Sequence, residues 1–260
     1  MQLMNYTSNW YSVRNVLEYY FWFKSRLHFH AREGFIPLGG NTVFVGRRWL
    51  DASDGWDSDC LAEDCDLGAR LSSLGARTVV AYSAELVTRE ETPATLRALL
   101  RQRTRWNQGF LQVLGKGDWR RLPTWGQRLT ALYTLAFPLL QALTMIYLPI
   151  SLWLTLFGKL PVLVAMISAL PAYVVLVQML ISLVGLYEFT SVHRLKPSWR
   201  SPLWLMVAYM PYQWLLGFGA LRAIWRHLRG MNNWEKTRHV GAHRVGQFAA
   251  HTTPSVKHET

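Results

Sequence analysis

The sequence is poor in three features, and each absence narrows the possibilities. Between Leu129 and Tyr187 there is no acidic residue and one cation, Lys159, so a transporter lacks the ionisable groups that line a pathway. The two cysteines, Cys60 and Cys65, match no zinc spacing and predict no disulfide framework, which fits a reducing cytosolic environment. Residues 1–9 lack the basic start and apolar core of a signal peptide.

Positive charge, by contrast, is abundant. Lysine and arginine number 28 against 16 acidic residues, which gives a formal net charge of +12. Most of this excess flanks long apolar stretches, a pattern typical of the positive-inside rule, with anionic lipid or an anionic substrate as partner. Nucleic acid is the other common partner of a basic chain, and the apolar stretches argue against it.

Three apolar stretches follow one another, at Leu129–Phe157, Leu160–Tyr187 and Leu203–Trp225. The first would form roughly 44 Å of helix, enough to cross a bilayer core of about 30 Å. Three full crossings would place the basic loop 188–200 and the basic tail on opposite sides, so we expect the third stretch to be re-entrant or interfacial. The predicted divisions are a mixed domain at 1–127, transmembrane helices at 128–228 and a basic cytosolic tail at 229–260.

The mixed part alternates strand and helix patterns. We expect an aromatic-rich helix at Trp10–Ala31, either packed against the domain or lying at a membrane interface, with His28 and His30 at a solvated end rather than on a metal. The order of the elements indicates an α/β sheet. Further helices are predicted at Arg47–Ala52 and Glu63–Leu74, and strands at Thr42–Val45, Arg77–Tyr82 and Glu85–Val87.

A helix rich in arginine should begin at Thr92-Pro93, with a hydroxyl N-cap and then proline, and end at Gly115-Lys116-Gly117. Arg103 points out of its apolar face, where a guanidinium needs a carboxylate or phosphate. No acid occurs between Ala94 and Gly117, so the partner lies elsewhere in the fold or in a ligand. The apolar face holds Leu96, Leu99, Phe110 and Leu114; Arg97, Arg101 and Arg105 lie opposite; Gln102, Trp106 and Gly109 lie between.

Three carboxylates, on Glu63, Asp64 and Asp66, fall in the first turn of a predicted helix. Acids there complement the helix dipole, which is the structural interpretation. Because three such charges repel one another, a nearby cation or a catalytic use is the alternative. The turn that contains Gly39 and Gly40 permits positive φ or the close approach of backbone to a ligand.

Along the chain, the glycine turn is followed by the three carboxylates, then by the helix rich in arginine and then by the apolar stretches. In this order, these features resemble the membrane-embedded family-2 glycosyltransferases, which include the cellulose, hyaluronan and poly-N-acetylglucosamine synthases. The resemblance extends from about residue 10 to about residue 240. It implies a partial GT-A-like, Rossmann-type α/β domain followed by an all-α transmembrane region. The motifs that carry it are Glu63-Asp64-x-Asp66, Gln102-x-x-Arg105-Trp106, Pro37-Leu38-Gly39-Gly40-Asn41, Gly55-Trp56-Asp57, Asp66-Leu67-Gly68, Trp106-x-x-Gly109 and Trp234-Glu235-Lys236-Thr237-x-His239.

The activity that the resemblance implies is inverting transfer of a sugar from a nucleotide-sugar to a glycan or lipid acceptor. Asp64 would be the general base, with Glu63 beside it. The chain would lie in the plasma membrane as a multi-pass protein, with its catalytic segment in the cytosol. Residues implied in donor or acceptor binding are Gly40, Asn41, Asp66, Gln102, Arg103, Arg105 and Trp106. On spacing alone, a packing role for Trp106 is as well supported as a role in binding. Likewise, Asp64 on spacing alone fits a residue that only complements the helix dipole.

Members of that family carry a nucleotide-binding half before the region matched here, with an Asp-x-Asp motif for a divalent cation, Mg or Mn. We expect those ligands to lie outside this chain, because Asp57-Ser58-Asp59 occupies a loop where the family does not place them. The chain would then be part of a longer or split enzyme, or work with a polypeptide that supplies the missing half. The alternative is a non-catalytic membrane remnant or a subunit of a polysaccharide synthase complex.

Overall fold

A computed structural model describes residues 2–3, 8–40, 42–83, 85, 87–196 and 198–235. Most of these residues are helical. A π-helical turn, Trp22–Arg26, joins the first two helices, and a 3-10 helix covers Asp118–Arg121. The other elements are β1 (Gln2–Leu3), α1 (Ser12–Phe21), α2 (Leu27–Glu33), α3 (Arg47–Ala52), α4 (Glu63–Ser73), β2 (Arg89–Glu90), α5 (Leu96–Lys116), α6 (Trp125–Leu135), α7 (Phe137–Phe157), α8 (Val162–Ser168), α9 (Leu170–Val192), α10 (Arg200–Val207) and α11 (Tyr209–Leu228).

The α/β expectation is wrong. Within the described ranges the only strand pairing is parallel, two residues long, between β1 and β2. The segments predicted as strands at 42–45 and 77–82 are irregular, as are the described residues of 85–87. Runs such as Thr78-Val79-Val80 have high strand propensity, but a strand needs neighbours to pair with and a face to bury. Val79 is 82% exposed, none of residues 77–82 is fully buried, and the segment pairs with no described strand. No Rossmann-type sheet forms in the described part.

The aromatic-rich helix is confirmed, and it packs against the other helices. It runs without a break from Ser12 through the π-helical turn to Glu33. Its buried face meets α9 and α10 in one apolar cluster, whose buried members are Val13, Val16, Leu17, Tyr20, Leu186, Phe189 and Leu205. Burial of this size supplies most of the stability of a helix in a protein. The helix therefore packs, but its partners α9 and α10 belong to the predicted transmembrane region rather than to the mixed domain, and a position at a membrane interface stays a prediction.

The helix rich in arginine, α5, begins three residues later than predicted. Thr95 is the N-cap, and its hydroxyl accepts a hydrogen bond from the amide of Ala98 at 3.2 Å. The carbonyl of Pro93 accepts a hydrogen bond from the Tyr11 hydroxyl at 2.7 Å instead of opening the helix. The end is as predicted, at Lys116, with Gly117 in the left-handed region at φ 81°.

Arg103 finds its predicted partner elsewhere in the fold. Its guanidinium donates to Glu18 Oε2 on α1 at 2.6 Å and to the Tyr212 hydroxyl on α11 at 3.3 Å. The same hydroxyl donates to Glu18 at 2.9 Å. A buried cation is tolerated when it is paired and hydrogen-bonded in this way. The three side chains therefore join α1, α5 and α11.

Two helices, α7 and α9, are long and apolar enough to cross a membrane. Each of the three predicted apolar stretches is divided by a break, at Ala136, Ala169 and Ala208. Pro138 and Pro171 stand in the first turn of α7 and α9, where proline is tolerated because the missing N–H would have no partner. The third stretch forms α10 and α11, neither of which meets that length and apolarity among the described residues; its re-entrant or interfacial placement stays a prediction.

Candidate active site

The first turn of α4 is held against the middle of α5. A Cβ on Gly109 would lie 2.6 Å from the amide nitrogen of Ala62, so only glycine allows the two backbones to approach this closely. Three residues further along α5, Gln112 Oε1 accepts a hydrogen bond from the Leu61 amide at 2.8 Å. These contacts place Glu63 and Asp64, the residues that follow, beside the arginine helix.

The Asp64 carboxyl is partly buried in this corner. Its Oδ1 accepts a hydrogen bond from the Cys65 amide at 2.7 Å, and its Oδ2 lies 3.1 Å from the position that a Cβ on Gly40 would take. Burial is the main reason that the pKa of Asp64 is raised, and the neighbouring Glu63 carboxylate raises it further. Any side chain at position 40 would meet this carboxyl. Asn41 lies outside the described residues.

Arg105 faces the same corner from α5. Burial lowers the pKa of its guanidinium, while Glu63 and Asp64 raise it, so both carboxylates lie within electrostatic range. Its Nε is buried and, among the described residues, has no hydrogen-bond partner. Gln102 Oε1, one turn earlier, is also buried and unpaired within that part of the chain. Unpaired buried polar atoms are costly, so the Arg105 Nε and the Gln102 Oε1 need partners that the described residues do not supply.

Trp106 is held in a fixed orientation by its neighbours. The Arg103 guanidinium lies 4.7 Å from the centre of the indole ring, and Tyr19 meets the ring edge-on at 5.8 Å. Cation–π and edge-to-face contacts of this kind stabilise one ring position. Arg103 pairs with Glu18 and Tyr212 through one terminal nitrogen and lies against Trp106, while its Nε is buried and has no hydrogen-bond partner among the described residues.

Asp66 is separate from the other predicted site residues. Its side chain is fully buried, and its two oxygens accept hydrogen bonds from Arg70 at 2.9 Å and Lys116 at 2.7 Å. Lys116 also donates to Asp57 at 2.5 Å, and this bond holds the pKa of Asp57 below its usual range. Arg70 further contacts the carbonyls of Ser53 and Gly55. Asp66 thus ties the loop before α4 to the end of α5 and presents no free oxygen to a ligand.

Residues 231–235 lie against α5, a contact that no pattern in the sequence predicts. Arg226, only 3% exposed, donates to the carbonyls of Met231 and Asn233 at 3.1 and 3.0 Å. Gln108 Nε2 donates to the Met231 carbonyl at 2.7 Å. Arg222 makes a bidentate pair with Glu235 at 2.8 and 2.6 Å.

This anchoring brings a second indole to the site. The Trp234 ring centre lies 4.3 Å from the Arg105 guanidinium. The only sequence signal was the Trp234-Glu235 pair within the last motif of the resemblance, and nothing in it indicated a contact with α5. Lys236, Thr237 and His239, the rest of that motif, lie outside the described residues.

A divalent cation does not fit the residues at hand. In the part of the chain that the structure describes, no three histidine, cysteine, aspartate or glutamate side chains lie close enough to hold a metal ion. Asp57, the first acid of the Asp57-Ser58-Asp59 loop, is occupied by Lys116. His28 is exposed, but the expectation that His30 also lies at a solvated helix end is wrong: His30 is buried, which lowers its pKa to about 4.

Comparison with known proteins supports a glycosyltransferase. Residues 1–109, which include every motif residue of α4 and α5 discussed above, match the family profile described as Glycosyltransferase like family 2. The chain is 34% identical over 79 residues to Probable glycosyltransferase YdaM of Bacillus subtilis (strain 168), covering 30% of this chain and 18% of that protein. It is 36% identical over 88 residues to Probable glucomannan 4-beta-mannosyltransferase 6 of Oryza sativa subsp. japonica, covering 34% of this chain and 15% of that protein.

No solved structure matches the chain. The aligned segments span less than a fifth of the curated relatives. At the level of the family, the profile and the two relatives support a transferase with a glycosyltransferase family 2-like domain, for which a nucleotide-sugar donor and an acceptor are implied.

Proposed function

We propose that this chain provides the acceptor side of an inverting glycosyltransferase of the cellulose, hyaluronan and poly-N-acetylglucosamine synthase type. It would transfer a sugar from a nucleotide-sugar to a hydroxyl of a glycan or lipid acceptor at the membrane. The observation that carries the proposal is the close contact of Gly109 with Ala62, which places the Asp64 carboxyl within electrostatic range of Arg105. The Nε of Arg105 and the Oε1 of Gln102 are buried there and have no partner among the described residues.

Asp64 is the general base of this proposal. Its carboxylate would take the proton of the acceptor hydroxyl as that oxygen attacks the anomeric carbon from the face opposite the departing diphosphate. The bond to the diphosphate breaks as the new glycosidic bond forms, so the configuration inverts. Burial and Glu63 raise the pKa of Asp64, which strengthens it as a base. A carboxylate in reach of the proton is the minimum that this step requires.

Arg105 and Gln102 are assigned to the donor. A leaving diphosphate carries negative charge that fixed cations stabilise, and a guanidinium offers paired N–H groups that match phosphate oxygens. The unpaired Nε of Arg105 and the unpaired Oε1 of Gln102 provide one donor to phosphate and one acceptor to a sugar hydroxyl. Gly40 leaves room for the reacting groups, because a Cβ at this position would crowd Asp64. Its neighbour Asn41 is assigned to the same binding site.

Trp106 is assigned to the acceptor sugar. An indole face is a good surface for the apolar face of a sugar ring, and contacts with Arg103 and Tyr19 hold this indole in place. We assign Arg103 and Asp66 to positioning rather than to ligand contact, because Glu18 and Tyr212 engage the first and Arg70 and Lys116 the second.

The helices α7 and α9 are proposed to cross the plasma membrane, which would leave residues 1–127 and the basic tail at the cytosolic face. Their exposed apolar side chains support this placement, since a water-facing surface of that extent is rare in soluble proteins. A polypeptide segment that binds the nucleotide is proposed as a partner, in the same longer protein or in another chain. Any divalent cation that the reaction uses would be held by ligands outside the described residues.

The test is sugar transfer in membranes that contain the chain together with a nucleotide-binding partner segment. Radiolabelled nucleotide-sugars are supplied one at a time. Asp64→Asn should lower the incorporation of label at least about 100-fold, which is the size of a lost general base, at unchanged expression. Asp59→Asn, an exposed carboxylate in the preceding loop, is the matched control and should retain activity. Full activity of Asp64→Asn would remove Asp64 as the base, and no label from any donor would favour the non-catalytic subunit.

A further inference from the structure

A cavity of about 310 Å³ lies away from the Asp64 corner, between the N-terminal end of α1 and the start of α10. Trp10, Val13 and Trp204 form apolar parts of its wall, and Asn9, Arg200 and Ser201 add polar groups. None of the residues that line it is acidic. Its volume is at the lower end of the range for small-molecule sites, about 300–1,000 Å³.

The polar groups of this cavity suit a phosphate. A guanidinium binds phosphate oxygens through paired, charge-assisted hydrogen bonds. Ser201, only 3% exposed, lines the cavity beside Arg200. The surrounding sequence adds no opposing charge, because no acidic residue occurs from Phe189 to Arg200, while Arg194, Lys196 and Arg200 are basic. An anion is therefore the ligand class that the charge favours.

The position of the cavity favours a lipid over a soluble anion. Its α10 wall packs against α9, and α9, one of the two helices of membrane-spanning length, ends at Val192. If α9 crosses the bilayer, as proposed above, the turn after Val192 and the start of α10 lie at headgroup level. Tryptophan concentrates at that level, and basic pockets beside spanning helices on the cytoplasmic side bind acidic headgroups.

We propose that this cavity binds the phosphate of an anionic phospholipid headgroup, with Arg200 as the principal contact. The polar groups hold the phosphate and headgroup, and Trp10 and Trp204 contact the glycerol region. The volume accommodates a headgroup and excludes the acyl chains, which would extend along the exposed apolar side chains of α10, such as Leu203 and Val207. The inference rests on the membrane placement in the proposed function and not on the assignment of Asp64.

The test is native mass spectrometry of the full chain in detergent, titrated with phosphatidylglycerol, phosphatidylcholine or inorganic phosphate. We expect phosphatidylglycerol to be retained at lower concentration than phosphatidylcholine. Arg200→Gln should weaken phosphatidylglycerol binding at least about fivefold, which is the effect of losing a charged hydrogen-bond donor. Arg194→Gln removes the same charge from the same turn but does not line the cavity, and should change binding less than about twofold.

Three results would overturn the proposal. Equal losses for the variants at Arg194 and Arg200 would indicate diffuse surface charge, and equal retention of the two lipids would indicate apolar adhesion. Displacement of phosphatidylglycerol by an equal concentration of inorganic phosphate would indicate a soluble anion as the ligand. If Arg200→Gln fails to fold, Ser201→Val is the second variant. It keeps every charge and should weaken the binding of phosphatidylglycerol only. Sugar transfer is not measured here, so a negative result would leave the role of Asp64 unaffected.

Discussion

Two pairs of helices, α4 with α5 and α7 with α9, differ in the side chains that they bury and expose. In the first pair, charged groups are buried and paired, as Asp66 is with Arg70 and Lys116. In the second, apolar side chains such as Leu143 and Val184 point outwards, 62% and 69% exposed. Buried ion pairs depend on their partners, whereas an outward apolar face depends on an apolar surrounding. The difference supports the proposal that α7 and α9 lie in a membrane.

The largest effect should come from breaking the buried ion pairs of the first region. Asp66→Asn leaves Arg70 without its carboxylate and Lys116 with Asp57 alone, and should lower the free energy of unfolding by about 3 kcal/mol or more. Asp51→Asn breaks the pair with Arg47, whose side chains are 87% and 60% exposed, and should cost at most about 1 kcal/mol. Denaturant unfolding in detergent compares the two variants. Equal losses would mean that burial does not set the strength of these pairs.

Acidification should reveal a buried histidine on α2 that is held neutral. Burial lowers the pKa of His30 to about 4, so the unfolded chain takes up a proton first as the pH falls below about 6.5. The free energy of unfolding should therefore decrease between pH 6.5 and 4, by up to about 3 kcal/mol at pH 4. The pKa values of Asp57 and Glu235 lie below their usual ranges, so their stabilisation is lost at still lower pH.

The measurement is the free energy of unfolding as a function of pH for two matched variants. His30→Gln should flatten the curve between pH 6.5 and 4, whereas His28→Gln, at an exposed position two residues earlier, should leave it unchanged. If His28→Gln flattens the curve and His30→Gln does not, the assignment to His30 is contradicted.

Substitution of glycines at helix contacts should distinguish the two pairs of helices further. A methyl group on Gly109 meets the Ala62 backbone, which is unable to move without displacing α4, so Gly109→Ala should cost about 1–3 kcal/mol. A methyl group on Gly185 of α9 meets the ring of Phe21, a side chain that can rotate, and should cost less. Gly115→Ala, with no atom within 4 Å of the new methyl, is the control and should stabilise α5 by up to about 1 kcal/mol. Melting temperatures rank the three variants, and a larger cost at Gly185 would refute this explanation.

The smallest effect is expected for the segment at 231–235. Glu235→Gln removes the carboxylate that Arg222 and Arg226 bind, and should loosen the segment by about 1 kcal/mol, since the pair is partly exposed. Hydrogen exchange of the Met231 amide, which donates to the Arg226 carbonyl at 3.0 Å, should then quicken roughly fivefold. Arg229→Gln, at the exposed end of α11, serves as the control. Unchanged exchange in Glu235→Gln would show that the ion pairs do not hold the segment.

Local signals predicted much of the helical structure. A stop signal lies within a few residues of the ends of α3, α4 and α5. Gly75 follows α4 and Gly117 follows α5, and both have positive φ. The predicted start of α5 is three residues too early, because Thr92 and Thr95 both satisfy the capping rule. The strands failed because strand propensity says nothing about whether a pairing partner exists.

Long-range contacts decide which site residues could be predicted. The position of Arg103 on the apolar face of α5 predicts that it needs a partner, but Glu18 lies 85 residues away and no local pattern connects them. Asp66 is in the first turn of α4 with Glu63 and Asp64, yet its side chain faces Lys116, 50 residues away. Residues that share one motif therefore separate into those facing the corner and those holding the helices together, and only the fold makes that distinction.

The most direct test of the central claim, that Asp64 and Arg105 act in one site, is a double-mutant cycle on sugar transfer. Asp64→Asn and Arg105→Gln should each lower the transfer rate at least about 100-fold. Residues that act as a unit are strongly non-additive, so the double variant should be no slower than about tenfold below the slower single variant. A double loss equal to the product of the single losses would mean that the two residues act independently and would contradict the account.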